Sequence, residues 1–237
     1  MNSAKRENVV LVIEKYFEIF LPQLEKIKAV GKKGAENPIW LWHALLASFA
    51  TQGNSRGYTG LIENPENLKA VDWSQIVFLS DEERIAVFEK VFSRAKMRMS
   101  KIKAERMNKN FHLVAKLGGA RKATIHAFAL KGANAKIQFL KQFSGIADKY
   151  SRNIWMDIYD LDFRNFIAID ERIKKISEKL GILDLPYEEH EKYYLEIANE
   201  IGISGWELDR LLYNCNKEIV AEVNKNKKGD PEAAFFE

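Results

Sequence analysis

Apolar residues return at every third or fourth position through nearly the whole chain, and that one periodicity confines it to helices. Val10, Ile13, Phe17, Phe20, Leu24 and Ile27 mark a first helix, with Pro22 placed to kink it. Pro38 opens a second, very apolar helix, "PIWLWHALLASFA". Ser80 and Glu83 form a capping box ahead of one long stripe: Ile85, Phe88, Phe92, Ala95, Met99 and Ile102. Shorter helical runs are predicted around 110–117, 121–130, 135–143, 148–159, 171–180, 187–201 and 204–225. Only "VFL" and "FIAI" read as extended, and both are too short to build a sheet. No repeat or linker interrupts the pattern. The expectation is an all-α chain, two-lobed but one domain over 1–237, with a loose tail from about 227 in "KNKKGDPEAAFFE".

Composition removes several classes of function. A chain of 237 residues, 46% hydrophobic and 30% charged, is globular and can bury a substantial core. No apolar run approaches the ~20 residues needed to span a bilayer. Glu7, Glu14 and Glu18 interrupt any signal-peptide pattern, so the cytoplasm is the expected compartment. Cys215 is the only cysteine, which leaves no disulfide framework, iron–sulfur cluster or thiolate zinc site. His43, His112, His126 and His190 form no ligand pair at helical spacing, so no catalytic metal is expected.

The net charge of +4 says little, but its distribution says more. Lys90, Arg94, Lys96, Arg98, Lys101, Lys103, Arg106 and Lys109 face the single acid Glu105. So one-sided a run suits phosphates, and it also suits a solvated helix face.

Phe143-Ser-Gly145-Ile146-Ala147, flanked by helical runs, fits a helix-hairpin-helix over about 135–159. Gly145 can take the positive φ of such a turn, and Phe143 and Ile146 can pin the two helices together. The turn would offer backbone N–H groups at a helix start, a phosphate site that needs no side chain. An ordinary αα-hairpin fits the same residues. Further on, in "FIAIDERIKKI", Asp170 stands where an amphipathic helix begins and can serve as its N-cap. It follows Lys149 by 170 − 149 = 21 positions.

Together these features resemble the helix-hairpin-helix DNA glycosylases, the superfamily of endonuclease III and the 8-oxoguanine glycosylases. Their hairpin runs apolar-x-Gly-apolar-Gly-x-Lys-x-Ala, with an Asp opening a later helix. Here Ala147 replaces the second hairpin glycine and Ser151 the final alanine, both small residues that preserve the turn. The cluster ligands of endonuclease III are absent. At the C-terminus, "GISGWELDRLLYN" is similar to a segment of the archaeal 8-oxoguanine glycosylases in which an Asp and a later aromatic contact the extruded base. Those positions are Asp209 and Tyr213, and Trp206 shares their helical stripe. Simple packing would account equally well for Trp206 and Tyr213.

The resemblance implies a lesion base flipped out of damaged double-stranded DNA, a step costing a few kcal/mol. The hairpin amides of Gly145, Ile146 and Ala147, with Arg152, would hold the backbone. Lys149 would attack C1′, displace an oxidised purine such as 8-oxoguanine, and form a Schiff base whose β-elimination cuts the strand. Asp170, held ionised by a helix N-terminus, would stabilise positive charge on the sugar. Gln52 or Asn54, in the polar loop "ATQGNSRGYTG", would wedge into the vacated stack while Tyr58 stacks on a base; an ordinary loop is the simpler account. No cofactor is required, although a monovalent cation could sit at the hairpin. The enzyme would act as a monomer at the nucleoid, without a membrane. Three other functions remain open: a monofunctional glycosylase for another damaged base, a non-catalytic helix-hairpin-helix DNA-binding protein, and a helical scaffold for protein partners.

Overall fold

A computed structural model describes residues 3–53, 56–169, 171–182 and 185–228, leaving aside the side chains of 3–5, 172 and 226–228. Of the loose tail expected from about 227, residues 227–228 belong to the last helix and those from 229 onward lie outside the described residues. Among the described residues thirteen α-helices follow one another: α1 Ser3–Ala35, α2 Trp40–Thr51, α3 Arg56–Leu61, α4 Pro65–Ala70, α5 Trp73–Ile76, α6 Asp81–Arg94 and α7 Ser100–Lys116. After these come α8 Ala120–Ala129, α9 Ala133–Lys141, α10 Asp148–Asp157, α11 Glu171–Leu180, α12 Tyr187–Glu200 and α13 Gly205–Lys228. The described residues contain no strand; "FIAI" is irregular backbone and "VFL" part of a turn. No described helix is long and apolar enough to cross a membrane.

The chain divides into two compact units, Lys33–Ile154 and Met1–Lys32 with Trp155–Glu237. In the first, the indole of Trp42 is fully buried, donates to Val71 O at 3.0 Å and meets Trp73 edge-on at 5.4 Å. Phe88, Phe92 and Phe111 extend this aromatic core. Ser80 Oγ accepts from Glu83 N at 3.2 Å while the Glu83 carboxylate accepts from Ser80 N at 2.8 Å, so the capping box starts α6.

The long stripe expected from Ile85 to Ile102 is broken. Lys96 and Met99 adopt left-handed backbone, φ 57° and 55°, between the end of α6 at Arg94 and the start of α7 at Ser100. Ala95 and Met97 are buried as a result, while Met99 and Ile102 are 58% and 47% exposed. The basic run is therefore spread over two helices and their turn. The polar loop after α2 also proves to be partly helical. Gly57 and Gly60 let α3 approach so closely that an added Cβ would lie 2.3 Å from Ala50 O and Ala95 O, respectively.

In the second unit, α11 and α12 pack on α13. Ile173, Ile176, Leu180, Tyr194, Ile197, Leu208, Leu212 and Ile219 are buried. Pro22 lies inside α1, which continues through it.

Candidate nucleic-acid interface

The expected hairpin is present. Between α9 and α10 the chain turns through Gly145 at φ 84°, with Phe143 and Ile146 buried on either side. Ile146 N donates to Phe143 O at 3.1 Å, and Ser151 N donates to Ala147 O at 2.9 Å as α10 begins. The first-turn amides of such a helix have no acceptor within it and face outward. Gly145 is required here on two grounds. Its φ disfavours an L side chain, and an added Cβ would lie 2.8 Å from the buried ring of Phe49.

Two side-chain amides grip this turn. Asn110, 1% exposed on α7, accepts from Ser144 N at 2.7 Å and donates to Ser144 O at 3.1 Å. Gln52, just past α2, donates to Gly145 O at 3.0 Å. Gln52 therefore braces the hairpin in this structure and is not presented as a wedge. Its own carbonyl accepts from Lys103 Nζ at 2.8 Å, and Lys103 also donates to Phe49 O at 2.8 Å. Lys103, 1% exposed, thus caps the C-terminal carbonyls of α2. Burial, with Arg98 and Arg106 nearby, lowers its pKa. Although part of the basic run, Lys103 is unavailable to phosphate.

Arg106 and Arg98 remain exposed. The Arg106 side chain passes 3.3 Å from where a Gly145 Cβ would be, and that of Arg98 3.0 Å from the corresponding point at Gly53. Arg106 is thus the member of the basic run that lies beside the hairpin glycine. Lys149 is exposed in the first turn of α10, and Arg152, one turn on, is half-buried. Lys141 pairs with Asp148 at 2.7 Å across the hairpin. Tyr58, 37% exposed, stands on α3.

Trp206, Asp209 and Tyr213 belong to the second unit. Asn54 and Asp170 lie outside the described residues. Trp206 is 1% exposed, donates from Nε1 to Met156 O at 2.6 Å and meets Tyr159 edge-on at 4.6 Å. Its indole is a core group, so the packing alternative holds and no face is offered to a base. Asp209, 7% exposed, accepts from Ala168 N at 2.9 Å and so anchors the irregular segment before α11. Tyr213 is 50% exposed on α13. The three share a helical stripe, but only Tyr213 reaches the surface.

Solved structures match this architecture closely. The 8-oxoguanine DNA glycosylase of Thermotoga maritima aligns with a TM-score of 0.66 at 17% identity, over 88% of this chain and 95% of that one. The Methanocaldococcus jannaschii 8-oxoguanine DNA glycosylase gives 0.65 at 15%, over 88% and 94%. The same organism's glycosylase/lyase, in complex with 15mer DNA containing 8-oxoguanine, gives 0.64 at 15%, over 86% and 97%. This is the fold of the 8-oxoguanine DNA glycosylases. No family model matches the sequence, and no curated protein does. The fold is thus shared while most side chains differ. The described residues contain no cluster of His, Cys, Asp or Glu able to hold a metal.

Asn110 and Lys103 were not expected as supports of the hairpin, Lys103 having read as one of the phosphate-suited basic residues. Both lie on the face of α7 that buries Met107 and Val114, and a polar residue on an apolar face was the signal available.

Proposed function

We propose that the chain is a DNA glycosylase with AP lyase activity that excises an oxidised purine, 8-oxoguanine in the first instance. The observation that carries this reading is the braced hairpin, with exposed Lys149 in the first turn beyond it, on a fold shared with a glycosylase/lyase solved on 8-oxoguanine DNA. In the reaction, the amine of Lys149 forms a bond to C1′ as the glycosidic C–N bond breaks and the base leaves. Opening of the sugar gives an imine. Loss of a C2′ proton then expels the 3′ phosphate and cuts the strand. An amine attacks only without its extra proton, a form that burial favours, so DNA closing over the helix start supplies the desolvation. Asp170 supplies the carboxylate that offsets positive charge on the sugar. No cofactor takes part. The protein works as a monomer on damaged duplex, in the cytoplasm at the nucleoid.

The exposure of Lys149 favours one competing reading, a helix-hairpin-helix DNA-binding module in which this lysine meets only a phosphate. Borohydride trapping on an 8-oxoguanine:cytosine duplex and on an abasic duplex separates the two. A covalent adduct present with the natural protein and lost in Lys149→Gln establishes the Schiff base. Tight, salt-sensitive binding without any adduct sinks the lyase and leaves a monofunctional glycosylase or a binding module.

A further inference from the structure

The hairpin's carbonyls do not face open solvent: Ser144 O and Gly145 O both accept from side-chain amides of other helices. Such partners fix the plane of each peptide, because a peptide group is rigid and holding its oxygen also sets where its N–H points. Ser144 is held at both ends, its N–H as well as its C=O, by the one amide of Asn110. Gly145 is held by Gln52, whose own backbone is tied to buried Lys103. A glycine turn without such ties has many accessible conformations, and ordering it on binding DNA would cost free energy.

We propose that Asn110 and Gln52 are positioning residues that set the hairpin before DNA arrives: Asn110, by holding Ser144 O, aims the Gly145 N–H, and Gln52, by holding Gly145 O, fixes the peptide through which the chain enters the helix bearing Lys149. Lys103 secures this brace by fixing the backbone of Gln52. Neither amide needs to touch DNA. Their effect lies in geometry, where a displacement of about 1 Å at a reacting group can cost up to ~100-fold in rate. The chemical part of the inference rests on the glycosylase reading; the binding part does not.

The test uses the full-length protein with Gln52→Ala, Gln52→Glu and Asn110→Asp. Gln52→Glu keeps the length and shape of the side chain but sets an acceptor against the Gly145 carbonyl. Asn110→Asp keeps the acceptor for Ser144 N–H and loses the donor to Ser144 O. For each, three quantities are measured: the thermal midpoint, the Kd for undamaged duplex, and the single-turnover rate of adduct formation on an abasic duplex at saturating enzyme. We expect thermal midpoints within a few degrees of the natural protein, with affinity and single-turnover rate each reduced about tenfold or more, Gln52→Glu below Gln52→Ala. A purely structural role would lower the midpoint and leave both quantities unchanged per folded molecule; that result overturns the proposal. Should Asn110→Asp fail to fold, the two Gln52 variants decide. If the natural protein binds duplex but forms no adduct, the lyase reading fails and the brace is judged on affinity alone. A natural protein that binds no DNA overturns both.

Discussion

The two units use buried polar groups in opposite ways. In Lys33–Ile154 these groups fasten turns and helix ends and leave the candidate site outside. Arg84 donates to Ile76 O and Leu79 O, Asn67 to Gly60 O, Lys103 to Phe49 O and Gln52 O, and Asn110 clasps Ser144. Around them Lys149, Arg106 and Arg98 stay exposed. In the other unit the candidates are themselves the buried groups. Trp206 and Asp209 are bonded to backbone, and Ser177 links His190 and Tyr194 inside the core at 2.6 and 2.8 Å. One set is therefore presented on a rigid support, as preorganised catalysis demands. In the other set Trp206 and Asp209 are buried, and only Tyr213 is already outside.

The largest predicted effect tests the presented set. Lys149→Gln should abolish adduct formation and strand cleavage, a loss of at least about a thousandfold, while the thermal midpoint changes little because the side chain is exposed. A midpoint that falls steeply would show that Lys149 holds structure, and the contrast between the units would weaken.

The next prediction sets two aromatics of one stripe against each other. Trp206→Ala should destabilise the fold by ~3–5 kcal/mol, by removing a buried indole and orphaning Met156 O. Tyr213→Ala should cost no more than ~0.5 kcal/mol, as expected of a half-exposed surface residue. Urea unfolding measures both. If Tyr213 meets the flipped base, its variant should also lose kcat/KM on 8-oxoguanine DNA while keeping its rate on abasic DNA, where no base is left to contact. Equal losses on the two substrates would remove Tyr213 from recognition.

Gly145→Ala comes third. Left-handed backbone alone costs an L residue about 1–2 kcal/mol, and the added methyl also meets the Phe49 ring at 2.8 Å. Phe49 is fully buried and has little room to yield, so the turn should shift and affinity for undamaged duplex should drop with stability. Gly132 provides the control: its φ is 81°, yet an added Cβ meets nothing within 4 Å. Gly132→Ala should carry the backbone cost alone, read from the difference in unfolding free energy.

Much of this was legible in the sequence for a simple reason. Helix positions follow from local apolar spacing, and the hairpin from a glycine flanked by apolar residues, so neither needs tertiary information. What escaped depends on contacts distant in sequence. Nothing in the identity of Lys96 or Met99 announces a left-handed backbone, because neither is Gly, Asn or Asp, so the break between α6 and α7 was invisible. The short α3 exists because Gly57 and Gly60 allow close approach to backbone that only the fold brings near. Gln52 looked like a loop residue free to reach DNA; its partner, Gly145, stands 93 positions away.

The smallest effect concerns the second unit's own charges and should appear as a pH dependence. Glu207 and Lys28 pair at 2.7 Å with side chains 15% and 12% exposed. Burial raises the Glu207 pKa, but hydrogen bonds from Lys28 and from the Ser204 hydroxyl and N–H outweigh it, and the net shift is downward from 4.5. A carboxylate with a lowered folded pKa binds protons more readily when unfolded. Its contribution is therefore present above the unfolded value and lost as pH falls through the folded one. Glu207→Gln should cost roughly 1 kcal/mol at neutral pH, as for a partly shielded ion pair, and the gap from the natural protein should close as pH falls through the lowered folded value. The same variant should leave adduct formation by Lys149 untouched, since this pair belongs wholly to the unit that does not carry that lysine. A gap that persists in acid would mean that the charge is not what Glu207 contributes.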